Sequence, residues 1–468
     1  MNAGRYIKLR PFAATGALMV LLSGCASLSK DGGFGAVSDL TKARIGNDVK
    51  VVRNDADARA LVEAINAILR KPLGADDAVQ VALLNNRGLQ ATYWSVGIAE
   101  ADLVQAGRLQ NPAFGFKRTR QGDDVEIERT LTVNIVNLLT APLAQRIERR
   151  RFAQTKLLVA NEIQKHAAET RRAYYEAVAA LQGVAYARQV NSAAEASADL
   201  AGRMAKAGNW SQLDLIREQS FYAETTAAVG RAQKRAVVAR EELTKLMGLW
   251  GQQASYKLPD RLPELPGSAA ELEDIERIAI RDRLDIQAAK LDTEQTAASL
   301  GLTRTTRFIN VLDLGYAETN RSDALAARGY ALSLEIPLFD WGSARVAKSE
   351  AIYMQSVNTL AYAATNARSD ARKSYVDYRA SFDLAKHYRD QVIPLQKKKS
   401  DETLLRYNGM LLSVFELLAG SREQAAAVND YITALKDYWI ADTNLQTALG
   451  GRLPAPSAAT ATTKKATQ

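Results

Sequence analysis

The chain has 468 residues, 47% of them hydrophobic, a formal net charge of +9, one cysteine and two histidines. A single cysteine excludes an internal disulfide, and so few Cys and His leave no ligand set for a structural zinc site. The positive charge is spread along the chain, which argues against a nucleic-acid surface, and no phosphate loop or nucleophile elbow occurs, so neither an enzyme nor a cofactor is expected.

The N-terminus comes first. Arg5, Lys8 and Arg10 precede "PFAATGALMVLL", an apolar run too short to serve as a permanent membrane helix, and Leu22, Ser23, Gly24 and Cys25 close it. These four residues resemble the lipobox of bacterial lipoproteins at every position. The resemblance implies a signal peptide over 1–24, an acylated (palmitate-bearing) Cys25 as first mature residue, and, with Ala26 rather than Asp behind it, delivery to the outer membrane. A plain secretory signal with a chance cysteine is the other reading.

A helix is expected from 75. The hydrophobic period then falls to two in the expected strands 113–120 and 126–137, where Ile127, Leu131, Val133 and Ile135 alternate with Glu126, Glu128, Thr130, Thr132 and Asn134. Arg129 interrupts the apolar side, which suits a soluble hairpin unless the residue lies near the loop end and snorkels. No proline occurs from Leu143 to Leu258, which predicts a long helix over 143–207 and a second over 211–248. Ala160, Ile163, Ala167, Thr170, Tyr174, Ala177, Leu181 and Val184 form a heptad-spaced seam of mostly small residues.

Pro259, Pro263 and Pro266 mark a linker over 251–270. A helix, strands over 308–318 and 328–339, a long helix over 342–407 and a last helix over 412–449 follow, ahead of a tail at 451–468 expected to be disordered. Tyr330, Leu332, Leu334 and Ile336 alternate with Ser333 and Glu335, and Tyr353 to Val392 carries a second seam. Pro394 predicts a kink.

The order is the same twice. "ALLNNRGLQA" (82–91) aligns with "AIRDRLDIQA" (279–288), and the turn Gly208, Ser211, Asp214 aligns with Gly409, Ser413, Glu416. Residues 75–250 and 271–450 thus read as two copies of one plan. In each, a Gly suits the reversal and a Ser suits the cap of the returning helix. Ten-residue strands with alternating polarity suit a membrane barrel or a soluble hairpin packed on helices. If they lie in lipid, four cannot close a barrel, so chains must combine: two would supply eight strands, three twelve.

The lipobox, the duplicated plan, "PLFDWGSAR" (337–345) at the exit from strand to long helix, and the two tip turns together resemble the TolC-like outer-membrane efflux protein family. The resemblance covers about 75–450. It implies a mainly α fold with a small membrane β-barrel: a homotrimer in which a 12-stranded barrel continues into a tunnel of 12 coiled-coil helices, with 25–74 and 251–270 in an anchoring, equatorial region. It implies an exit duct in the cell outer membrane, reaching into the periplasm, with a periplasmic adaptor and an inner-membrane pump as partners. Gly208, Ser211, Gly409 and Ser413 would form the adaptor-docking tips, Trp341 and Gly342 the membrane-interface exit. Glu416, with Asp214 as its counterpart, would be the pore-gate candidate, although Ala419 replaces a second acidic position. A helix-start carboxylate is the plain alternative for Glu416. Protein secretion through a similar duct, or a lipid-anchored periplasmic coiled-coil adaptor, are the rival functions. No catalytic residue, metal site or nucleic-acid partner is expected.

Overall fold

The computed structural model describes residues 27–452, apart from 310 and 323; Cys25 with its lipobox, and the tail beyond 452, lie outside the described residues. The elements in order are α1 (Gly35–Ile45), α2 (Asp55–Leu69), α3 (Ala75–Asn85), α4 (Arg87–Ala106), β1 (Ala113–Gln121), β2 (Asp124–Asn134), α5 (Ile135–Lys206) and α6 (Gln212–Met247). After a short 3-10 turn come α7 (Ile275–Asp282), α8 (Leu284–Thr306), β3 (Leu312–Arg321), β4 (Ala327–Leu334), α9 (Ser343–His387), α10 (Ile393–Asn408) and α11 (Val414–Leu449). The chain divides into two compact units. Of the described residues, the first gathers those up to Gly35, Ser95–Lys156 and Ala288–Ala361; the second gathers Ala36–Trp94, Leu157–Gln287 and those from Tyr362 on.

The first unit holds all four strands in one antiparallel sheet of order β1-β2-β3-β4. The central pair joins strands far apart in sequence, with Glu126 opposite Arg321 and Asn134 opposite Asp313. Strand ends differ from expectation for local reasons. β2 stops at Asn134 and the helix starts eight residues earlier than 143, because the Asn134 side chain accepts from Asn137 N (2.7 Å) and caps the first turn. β3 is shifted toward its hairpin, from 308–318 to 312–321, where Arg321 pairs with Glu126 at 3.0 Å. β4 ends at Leu334 rather than 339, since Pro337 has no N–H to donate to a ladder.

The second unit is helical and contains the main core. The seam of α5 is buried from Ala160 to Val184, Leu181 excepted. Small seam residues let an aromatic cluster fill the centre: Tyr175 stacks on Trp439 (5.5 Å), which meets Tyr438 (5.1 Å), itself against Tyr378 and Phe382. The buried Tyr174 OH donates to Leu73 O (3.0 Å), and His166 Nε2 lies 3.0 Å from Leu246 O as an interhelical bond. The supposed linker joins this core through Tyr256, Leu262 and Leu265.

The helices expected to run unbroken from 75 and from 271 are each interrupted. Asn86 and Arg283 adopt extended backbone (ψ 118° and 129°) and divide α3 from α4 and α7 from α8. A glycine of another helix end sits against each break. Gly248, closing α6 at φ +65°, would put a Cβ 3.0 Å from Asn86 Cα and 3.2 Å from Asn85 O, and Gly450, closing α11 at φ +86°, would put one 2.8 Å from the Asp282 carbonyl group. Arg283 ties its break by pairing with Asp285 (2.8 Å) and Asp370 (3.0 Å). Between α9 and α10 the backbone widens into a π turn at Tyr388–Val392, where the ring of Pro394 would strike the carbonyl one turn back in a regular helix.

Candidate functional site

The sheet sorts its side chains by the register. Phe114, Leu131, Tyr316 and Tyr330 share one row across the four strands, followed by Val133, Leu314 and Leu332, then Leu312 and Leu334. Most of these are exposed, Tyr330 at 86%. The opposite face carries Gly115, Lys117, Thr119, Glu126, Glu128, Thr130, Thr132, Asp313, Gly315, Ala317, Thr319, Gly329, Ala331 and Ser333. Over these rows one face is thus apolar and exposed, the other polar or small. The outer edges of β1 and β4 have no strand partner among the described residues. Beyond β4 the apolar set continues through Ile336, Leu338 and Phe339 to Trp341, whose ring meets Phe308 edge-on at 6.4 Å. Gly342 follows at φ +72°, and a Cβ there would lie 2.7 Å from Arg307 O, so this exit turn requires glycine.

In the second unit, the turn from α5 to α6 ends in a left-handed Gly208 (φ +78°), with Asn209 N donating to Met204 O at 2.9 Å. Ser211 then caps α6, accepting from Asp214 N (3.2 Å) and bonding Asp214 Oδ2 (2.6 Å). The turn from α10 to α11 repeats these bonds, Leu411 N donating to Arg406 O at 2.9 Å, and Ser413 caps α11. Its left-handed residue, however, is Met410 (φ +55°), while Gly409 has φ −81°. The expectation that Gly409 makes the reversal is corrected here: equating the two glycines is off by one. Glu416 completes a capping box, accepting from Ser413 N at 2.9 Å and Ser413 Oγ at 3.1 Å. Both acidic candidates are therefore engaged in their own helix starts.

A third cluster escaped the sequence reading. Glu218, its side chain 3% exposed, accepts from Arg422 Nη2 (2.8 and 2.9 Å) and Ser197 Oγ (2.6 Å), with Arg422 lying 3.8 Å over the Phe221 ring. The signal was present as the tripeptide Arg-Glu-Gln, at 217–219 and again at 422–424. The fold uses the Glu of the first and the Arg of the second; Arg217 pairs with Asp214 and Glu423 with Lys399 instead. Among the described residues no cluster of His, Cys, Asp and Glu is placed to hold a metal ion, and no helix is long and apolar enough to cross a membrane.

Solved structures match this arrangement over most of the chain. A membrane protein from Pseudomonas aeruginosa aligns with TM-score 0.69 at 20% identity, over 82% of this chain and 94% of that one. The MtrE outer membrane channel of Neisseria gonorrhoeae, in its open state, aligns with TM-score 0.67 at 17% identity, over 81% and 89%. The outer membrane protein VceC of Vibrio cholerae aligns with TM-score 0.67 at 14% identity, over 81% and 96%. The chain has the fold of TolC-like outer-membrane channels. No protein-family model matches it and no curated protein is similar in sequence. The likeness therefore lies in the backbone path, which small-residue seams and alternating strands can encode with few shared residues.

Proposed function

We propose that this chain is the outer-membrane exit duct of a tripartite efflux system, a homotrimer conducting small molecules or ions outward without chemical change. The observation that carries the reading is the two-sided sheet, an exposed apolar face backed by a polar and small-residue face and ending in two unpartnered edges. Backbone edges left open in lipid cost several kcal/mol per group, so such a sheet is stable in a bilayer only when other copies close it. Three copies would supply twelve strands. The helices likewise leave surface for other copies to cover: α10 buries no residue, and Leu395, Leu405, Ile216 and Val237 are exposed.

A two-fold repeat is supported by spacing. The breaks at Asn86 and Arg283 lie 197 residues apart, and Gly208 and Met410, Ser211 and Ser413, Asp214 and Glu416, and Gly248 and Gly450 are each 202 apart. The tips are proposed to dock the periplasmic adaptor that links the duct to an inner-membrane pump. Met410 and Leu411, exposed at 93% and 76%, give the second turn an apolar, backbone-strained tip suited to such contact. The lipid anchor remains proposed at Cys25.

Purified full-length chain reconstituted in planar bilayers tests the reading. Discrete conductance from a species migrating as a heat-dissociable trimer is expected. A monomer giving no conductance overturns it and favours a lipid-anchored adaptor.

A further inference from the structure

We infer that the outer rim of the sheet carries a binding belt for phosphate groups of the lipids that surround it. The inference rests on the proposed membrane placement of the apolar face and adds a ligand to it. The register locates the belt. On the apolar face, moving from the row of Phe114, Leu131, Tyr316 and Tyr330 toward the hairpin turns, the next row holds Phe116, Arg129, Glu318 and Arg328. The row beyond contains Arg118, Ile127 and Asn320, and the last contains Arg120 beside Val125. Four arginines and one carboxylate thus stand where the apolar surface ends.

Their bonding supports a ligand outside the chain. Glu318 is engaged by Arg328 at 3.4 Å, and Arg120 Nε donates to Gly122 O at 3.1 Å. Arg118 and Arg129, both exposed, form no ion pair among the described residues. A guanidinium at the margin of an apolar band can keep its stem in the lipid and its fork in the headgroup layer. There it offers two parallel donors to phosphate oxygens, which arginine matches better than lysine does. Tyr316 and Tyr330, edge-on at 6.1 Å, lie directly below, as an aromatic girdle does at the boundary of hydrocarbon and headgroups. The sequence of rows, aliphatic then aromatic then arginine, points to a phosphorylated lipid headgroup on the hairpin side. Several arginines within one patch favour a headgroup carrying more than one phosphate.

The test uses the detergent-solubilised full chain, titrated with lipid A (a bisphosphorylated, acylated disaccharide) in mixed micelles, with phosphatidylcholine and inorganic phosphate as comparison ligands. Binding of lipid A well above both is expected. The triple variant Arg118→Gln, Arg129→Gln, Arg328→Gln should bind it on the order of a hundredfold more weakly, about fivefold for each basic residue near an anionic surface. Lys117→Gln, on the opposite face, should bind as the parent does, and the triple Arg→Lys variant should retain part of the affinity. Equal binding by the parent and the triple Gln variant overturns the belt, and so does inorganic phosphate binding as tightly as lipid A. Conductance in bilayers separates the two readings. Arginine-dependent lipid binding without conductance keeps the belt and removes the duct, whereas conductance with arginine-independent binding does the reverse.

Discussion

Glu416 shows how one side chain can have two explanations that a conservative change separates. Its carboxylate accepts from Ser413 N at 2.9 Å, so removing the side chain removes a cap. Glu416→Ala should destabilise the start of α11 by about 1 kcal/mol whatever the pore does. Glutamine at this position still closes a capping box but carries no charge. A conductance or cation preference altered in Glu416→Gln therefore reports a pore carboxylate, and an unchanged one leaves a cap. The buried partner pair makes a stronger claim on stability. Arg422→Ala would strand the Glu218 carboxylate, 3% exposed, against Ser197 alone. A loss of about 3 kcal/mol in the denaturation free energy is expected, much of it recovered by pairing Arg422→Met with Glu218→Leu. Equal losses in the single and double variants would contradict this account.

At the scale of elements, the helix breaks are held by close backbone approach and by one charge cluster. Gly208 and Gly450 both have positive φ, but only Gly450 faces another backbone, that of Asp282 and Arg283. Gly208→Ala should cost about 1 kcal/mol, the left-handed penalty alone. Gly450→Ala must also move a helix end and should cost at least about 2 kcal/mol. Thermal melts of the two variants should differ in that order. At the same break, burial pushes the Asp285 carboxyl up, but hydrogen bonds and charge from Arg283 outweigh it and hold the group below its ordinary 3.8. A depressed carboxyl stabilises the fold fully above that ordinary value and loses the contribution as pH falls through the lowered one. Asp285→Asn should therefore be less stable than the parent at pH 6, with the gap narrowing by pH 2. Denaturant titrations at the two pH values measure it.

For the whole molecule, the decisive quantity is surface that one chain leaves uncovered. The sheet has an exposed apolar surface and two edges without a strand partner among the described residues, and the helical unit leaves Leu395, Leu405, Ile216 and Val237 exposed. If three copies share that surface, cross-links between engineered cysteines on the outer edges of β1 and β4 should yield trimers on denaturing gels and few larger species. Phe116→Cys with Arg328→Cys, in a chain whose membrane anchor is otherwise intact, is a suitable pair. A ladder ending at the dimer would count against twelve strands.

Much of this could be read before any coordinates. Strand alternation is local: Ile127, Leu131 and Val133 point one way because every second residue of a strand lies on the same face, and the Ser211 and Ser413 caps follow from short-range hydrogen bonds. The seam of Ala160, Ile163 and Ala167 follows from helical periodicity in the same way. What sequence could not reveal depended on groups brought together from afar. Met410 occupies the left-handed position because the chain reverses there, although a glycine stands next to it. Asn86 and Arg283 break their helices where glycines from other helix ends, over 160 residues away, come against the backbone. Glu218 is paired with Arg422 because packing turns one half of each Arg-Glu-Gln inward, a choice that neither copy contains alone. Local chemistry determined the elements and their faces; the pairing of distant charges and the close approach of backbones, which depend on tertiary packing, decided how those elements are held.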